Sequence, residues 1–214
     1  GNNTMKKYAI VTDFDGTLTT KDIAHEICLH HEITSKDQIQ TSYDTDDEAK
    51  NWMISHFAQV KTTPKEFERF VLKIAKPRKH LKELKHFCKT EKLPFEIVSG
   101  GLDIYIKPIL KNMGFEDTPF FSATAKISDD GVIVSYPLLE DYRLDDFKAS
   151  RVQHYKDLGY TTIFCGDGIT DFRAAEKADI LFACRSLAKA CDIEEVKYTE
   201  LEDFKKILEI VKNK

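Results

Sequence analysis

Tyr8-Ala9-Ile10-Val11-Thr12-Asp13-Phe14-Asp15-Gly16-Thr17-Leu18-Thr19 is the stretch on which the fold turns. Its first half, Tyr8 to Thr12, is uncharged and rich in β-branched side chains, the composition of a strand buried on both faces. The run then breaks on two aspartates and a glycine. A fully buried strand belongs to a parallel sheet with helices on both sides, and polar residues at its carboxyl end face the place where such sheets hold ligands.

The same pattern recurs further along the chain. Pro94 to Val98 reads as a buried strand that stops at Ser99-Gly100-Gly101, Thr161 to Cys165 as one that closes on Gly166-Asp167-Gly168, and Ile180 to Ala183 as a shorter one. Between the first two strands the periodicity is helical. Ile23 and Ile27 share a face, and Trp52, Met53, His56, Phe57 and Val60 recur at 3.6 residues. Thr63-Pro64-Lys65-Glu66 combines an N-cap, a first-turn proline and a capping-box acid, opening a helix that carries Phe67, Phe70, Val71 and Ile74 and stops by Pro77. A helix over 79–90 carries Leu81, Leu84, Phe87 and Cys88. Another ends at Met113-Gly114, a hairpin turns at Asp129-Asp130-Gly131, and a helix from Phe147 ends before Gly159. The expectation is an α/β fold: a doubly wound, Rossmann-like parallel sheet over 5–20 and 92–214, with a small helical cap over 21–91 inserted after the first strand. Lying between two site-forming strands, the cap reads as a lid.

Composition narrows the class of function. With 42% hydrophobic and 32% charged residues the chain is an ordinary globular protein rather than a disordered one. No apolar run approaches the roughly 20 residues of a membrane span, and no secretory core follows the N-terminus, so a cytoplasmic protein without membrane partners is expected. Gly1–Thr4 precede Met5-Lys6-Lys7, which reads as a natural start. The formal charge of −4 offers no basic field for nucleic acid. Cys28, Cys88, Cys165, Cys184 and Cys191 are an odd set in apolar contexts, read as buried thiols. The sequence does not specify an oligomeric state.

Asp13, Asp15, Ser99 and Asp167 all fall at strand ends. A carboxylate at Asp13 can attack phosphorus, and Asp15 can exchange the proton of the leaving oxygen and of water. Their crowding makes a seat for a hard cation such as Mg²⁺, to which Asp167 adds a further carboxylate. Taken alone, an Asp-x-Asp turn is as well read as a turn or a cap. Ser99 also suits the cap of the following helix, Lys148 the surface, and Asp171 the first turn of a helix. Gly100, Gly101 and Gly168 let backbone N–H groups approach a phosphate, but they also suit tight turns.

Asp13-Phe14-Asp15-Gly16-Thr17-Leu18-Thr19, Ser99-Gly100-Gly101, Lys148 and Gly166-Asp167-Gly168-Ile169-Thr170-Asp171 occur in that order. Together they resemble the four motifs of the haloacid dehalogenase-like phosphohydrolase superfamily. The position of the helical insertion is similar to the branch that includes phosphoserine, methionine-salvage and phosphocholine/phosphoethanolamine phosphatases. The resemblance implies a Mg²⁺-dependent phosphatase acting on a small-molecule phosphomonoester through an aspartyl-phosphate on Asp13, with Asp15 as general acid and base. It further implies that Thr17, Ser99, Gly100 and Lys148 hold the phosphoryl group. Mg²⁺ would bind Asp13, the Asp15 backbone carbonyl and Asp167, with Asp171 orienting its water.

Asp22 stands where phosphoserine phosphatases carry a glutamate for the substrate ammonium. Their cap arginine has no counterpart in Asn51-Trp52-Met53-Ile54-Ser55-His56-Phe57, so phosphoserine is not the expected substrate unless Arg69, Arg78 or Arg143 turns inward. His25, His30, His31 and Trp52 are read as packing residues. A phosphotransferase or mutase would use the same Asp13. A receiver-type signalling domain fits poorly, because the candidate nucleophile follows the first strand and a switch domain needs no cap.

Overall fold

The computed structural model of the chain describes residues 7–40, 45–139 and 142–213; Gly1–Thr4 lie outside them. β1 (Tyr8–Thr12) is buried along its whole length. It lies mid-sheet, paired in parallel with β2 (Phe95–Leu102) on one side and β5 (Thr161–Gly166) on the other. β3 (Phe120–Ser128) runs parallel to β2, and the turn at Asp129-Asp130 brings β4 (Gly131–Ser135) back antiparallel. β6 (Ile180–Ala183) and β7 (Thr199–Glu200) extend the other side, giving the order β4-β3-β2-β1-β5-β6-β7. This is the doubly wound α/β sheet the sequence implied.

Alternation along the strands divides the interior in two. Tyr8 and Ile10 of β1 join a cluster that includes residues of α5 (Leu81–Thr90), α6 (Asp103–Met113) and α10 (Lys205–Lys212). Val11 points the other way, into a cluster with Val152 of α7 (Leu144–Asp157), Ala174 and Ala175 of α8 (Phe172–Lys177), and Leu187 of α9 (Arg185–Ile193). All five cysteines are buried and free, as expected. Among the described residues no helix is long and apolar enough to cross a membrane.

Among the described residues β1 is followed by α1 (Ile23–His30), α2 (Lys36–Gln40), α3 (Asp46–Phe57) and α4 (Pro64–Ile74), and then by α5. Asp22, Thr45 and Thr63 start three of them by accepting from the backbone N–H groups of His25, Glu48 and Glu66. Ile23, Ile27, Trp52, Phe57, Phe67 and Val71 share the cluster that contains Ile10, so these helices rest on the sheet's own core. α5 packs against α10.

Two boundaries differ from the sequence reading, each for a physical reason. β2 does not stop at Ser99 but continues through both glycines to Leu102, which pairs with Ala123 after a register shift beyond Val98. The glycines serve a bulge, not a strand end. α7 begins at Leu144, three residues before the expected start. Its local N-cap, Arg143, makes no capping side-chain bond. Instead Asp46 of α3 accepts from the backbone N–H groups of Leu144 at 3.0 Å and Asp145 at 2.9 Å.

Candidate active site

The loop after β1 is drawn tight by backbone bonds. Thr17 and Leu18 N–H donate to the Phe14 carbonyl, Gly16 N–H donates to the Thr19 hydroxyl, and Asp13 N–H reaches across to the Cys165 carbonyl of β5. Gly16 has a φ of +71°, and a Cβ there would collide with Arg185 Nη1 and Asp167 Oδ2. Arg78 fixes the loop from behind, donating to the Gly16 carbonyl at 2.8 Å, the Thr17 carbonyl at 2.8 Å and the Glu202 carbonyl at 3.2 Å.

This loop delivers Asp13 to the carboxyl edge of the sheet beside Asp167 and Asp171, which follow β5, and Lys148 of α7. Asp13, Asp167 and Asp171 bring carboxylate oxygens within 4.8 Å of one another. Lys148 of α7, 1% exposed, places Nζ 2.7 Å from Asp171 Oδ1, 3.1 Å from Thr170 Oγ1 and 3.5 Å from Asp13 Oδ1. Asp171 Oδ2 accepts from the backbone N–H groups of Asp167 and Gly168, both at 3.1 Å. Lys148 is therefore no surface residue, and Asp171 is no simple first-turn acid.

Ser99 lies in the wall of a cavity of about 580 Å³, with Asp13, Asp15, Gly100, Lys148 and Asp167. Its hydroxyl accepts from Gly101 N–H at 2.8 Å. α6 takes Leu102 as its N-cap without a side-chain bond, so Ser99 does not cap it. Thr17, expected to hold the phosphoryl group, is not brought to this wall. It is fully buried, and its hydroxyl donates to Asp167 Oδ1 at 3.4 Å. Asp15 is turned towards the helical insertion: Oδ1 accepts from Ile23 N–H at 3.0 Å and Oδ2 from the Tyr105 hydroxyl at 2.6 Å.

Asp22 reaches the cavity wall while capping α1 and pairing with His25 Nδ1 at 3.5 Å. His25 joins it there, in an edge-to-face contact with Trp52. His30 stacks on Phe70, and Trp52 is buried in the core. Arg69 is exposed, Arg143 pairs with Asp145, and Arg78 stands behind the loop, so none of the three enters the cavity. A cation that the sequence reading passed over does. Arg185, at φ +50°, sets Nη2 2.8 Å from the Thr20 carbonyl and Nη1 3.5 Å from Asp167 Oδ2. Its signal in the sequence was slight, a lone arginine just past the short strand at Ile180–Ala183.

The electrostatics are unbalanced. Among the described residues, Asp13, Asp15, Asp22, Asp167 and Asp171, if ionised, outnumber the cationic side chains Lys148 and Arg185, with His25 beside Asp22. Burial pushes the Asp13 carboxyl up to about 8, despite the pull of Lys148. Burial likewise raises Asp167 to about 7 and Asp171 to about 6, and holds Asp15 well above the usual range. Burial alone would lower the Lys148 pKa, but the Asp13 and Asp171 charges keep it raised. A buried, oxygen-only donor set with surplus negative charge fits a hard divalent cation such as Mg²⁺.

Comparison with known proteins bears on the family of the chain. The family model described as haloacid dehalogenase-like hydrolase matches residues 10–176. The chain is 28% identical over 209 residues to the 2-hydroxy-3-keto-5-methylthiopentenyl-1-phosphate phosphatase of Bacillus pumilus, covering 94% of this chain and 89% of that one. It is 27% identical to the bifunctional enzyme MtnB/MtnX of Bacillus licheniformis, covering 97% of this chain and 50% of the other. A solved structure of a phospho-aspartyl intermediate analogue of phosphoserine phosphatase superposes with a TM-score of 0.72 at 21% identity, over 96% of this chain and 99% of that one. At that identity the likeness shows a shared fold.

Proposed function

The chain belongs to the haloacid dehalogenase-like hydrolases and is a phosphoric monoester hydrolase, and from that premise we propose that it cleaves a small phosphomonoester in two steps through a phosphorylated Asp13. The observation that carries this reading is the convergence of Asp13, Asp167 and Asp171 on the buried Lys148 at the sheet's carboxyl edge.

In the first step an Asp13 oxygen bonds to phosphorus, the P–O ester bond breaks, and the leaving oxygen takes a proton from the Asp15 carboxyl. In the second, water gives a proton to the Asp15 carboxylate as its oxygen bonds to phosphorus and the Asp13–phosphorus linkage breaks. The sum is ester plus water to alcohol plus phosphate. Lys148 offsets charge on Asp13 and the phosphoryl oxygens, while Ser99 and the backbone at Gly100 hold that group. Mg²⁺ held by Asp13, the Asp15 carbonyl and Asp167, with Asp171 orienting its water, would add Lewis-acid charge at the phosphoryl oxygens. Helices α1–α4 form the cap over the site, and α5, packed on α10, stays with the sheet.

The leaving group meets a mixed wall. Ile39, Ala49, Met53 and Leu144 supply an apolar surface, with Asp22, His25 and Tyr136 as its polar groups. Among the described residues, no arginine or lysine of the helical insertion lines that wall to face a substrate carboxylate. The wall suits an ester with an apolar tail, as in the named substrate of the Bacillus pumilus relative, better than phosphoserine. Each tail methylene buried is worth about 0.8 kcal/mol, or roughly fourfold in affinity.

The test is a panel of phosphomonoesters assayed with Mg²⁺ and with EDTA, including phosphoserine, phosphocholine, pyridoxal phosphate, sugar phosphates and esters with methylthio tails. The highest kcat/KM is expected for apolar-tailed esters. Full activity in EDTA refutes the metal requirement, and a preference for phosphoserine refutes the substrate reading.

A further inference from the structure

Tyr105 reads in the sequence as one more core residue of α6, and it is fully buried. Its hydroxyl nevertheless ends on a polar atom, donating to Asp15 Oδ2 at 2.6 Å. The approach crosses the space in front of Gly101. A Cβ at that position would collide with the Tyr105 hydroxyl and with Asp15 Oδ2, and would press on Ser99 Oγ at 3.0 Å. The bulge in β2 and the glycine within it thus open a passage from α6 to the first loop. On the other side, Ile23 N–H donates to Asp15 Oδ1 at 3.0 Å. The carboxylate is gripped at both oxygens by groups from different elements.

The two grips are not equivalent. A backbone N–H can only donate, whereas a phenol hydroxyl both donates and accepts. Tyr105 can therefore stay bonded to Oδ2 whether or not that oxygen carries the proton.

We propose that Tyr105 is a positioning residue for the acid/base step: it fixes the rotation of the Asp15 carboxyl group so that the proton moves to the leaving oxygen, and from water, along one prepared path. The inference rests on the role given to Asp15 under Proposed function. Tyr105 keeps its own proton throughout, and the bonds made and broken are those already written for Asp13, Asp15, phosphorus and water. Without the phenol, Asp15 is held only at Oδ1, by Ile23 N–H at 3.0 Å and Ala24 N–H at 3.4 Å, and can swing about its Cβ–Cγ bond. Misplacement of this kind costs on the order of 10²-fold in rate.

The test compares Tyr105→Phe, Asp15→Asn and the double variant in rapid-quench, single-turnover phosphorylation by an alkyl phosphate and by 4-nitrophenyl phosphate. The nitrophenolate departs with little need of a proton. Tyr105→Phe should slow phosphorylation by the alkyl ester roughly 10–100-fold, leave that by the aryl ester within roughly threefold, and change KM little. Added to Asp15→Asn, it should change neither rate further. The ratio of the two rates is read on one sample, so a partly unfolded preparation lowers both alike and leaves the ratio intact. Equal losses with both esters, or no loss, overturn the role of Tyr105. If Asp15→Asn itself shows no dependence on the leaving group, the acid/base reading of Asp15 fails instead, and the proposal falls with it.

Discussion

Replacing Asp167 by Asn should stabilise the metal-free protein at pH 8, and the advantage should vanish as the pH falls towards 4. Asp167 is 9% exposed, and its carboxyl is raised from an ordinary 3.8 to about 7, chiefly by burial. A carboxyl whose pKa is higher in the folded state binds its proton more tightly there. Its contribution is fully favourable below the unfolded value and is lost as the pH rises through the folded one. A rise from 3.8 to about 7 corresponds to an upper bound of about 4 kcal/mol lost by pH 8. Asp13 and Asp171 share the same protons, so Asp167 does not own the whole of that loss. Asn also forfeits the half-exposed pair with Arg185, worth about 0–1 kcal/mol. The net gain is then about 1–3 kcal/mol, or roughly 2–10 °C in Tm for a chain of this length. Thermal melts in EDTA from pH 4 to pH 8 measure it. Added Mg²⁺ should raise the wild-type Tm more than that of the variant, because a cation that binds the folded state stabilises it by mass action. A variant as destabilised at pH 8 as at pH 4 would refute the reasoning.

Four further outcomes can be checked. Asp13→Asn should form no phosphoprotein with any ester and turn over at background, measured by acid-quench labelling. Ca²⁺ in place of Mg²⁺ should lower kcat at least tenfold, since its looser coordination suits an in-line transfer poorly; equal rates would argue against a constrained site. Asp22→Asn should raise KM for an amine-bearing ester far more than for a neutral one, and equal effects would remove Asp22 from recognition. Arg78→Ala should cost about 2–4 kcal/mol in urea unfolding, because it strips donors from the Gly16 and Thr17 carbonyls behind the loop; a loss below about 1 kcal/mol would show that the loop holds itself.

The parts of this protein that could be read from its sequence are those whose signal is local. β1 announces itself by an uncharged β-branched run, and the Thr63 cap fixes the start of α4 to the residue. Asp13 and Asp167 could be placed because each follows such a strand directly. What could not be read locally depends on partners far along the chain. The start of α7 is set by Asp46, nearly a hundred residues earlier, and no local cap marks it. Thr17 has the residue type of a phosphate binder but spends its hydroxyl on Asp167, 150 positions away. Arg185 and Tyr105 carry nothing nearby that separates them from an ordinary surface arginine and an ordinary core tyrosine. Only the parallel sheet, which gathers the ends of distant strands, brings them to the first loop.

The central place of β1 bears on how the chain is made. The neighbour of β1, β5, follows about 150 residues later in the chain, and the clamp behind the Gly16 loop is completed only by the Glu202 carbonyl. Until then the backbone N–H and C=O groups of β1 on the β5 side have no strand to pair with, and the aspartate loop lacks its final tether. At roughly 5–20 residues per second, that interval lasts on the order of 10–40 s for every molecule synthesised. The tether behind the loop that carries Asp13 is therefore complete only once Glu202 has been made.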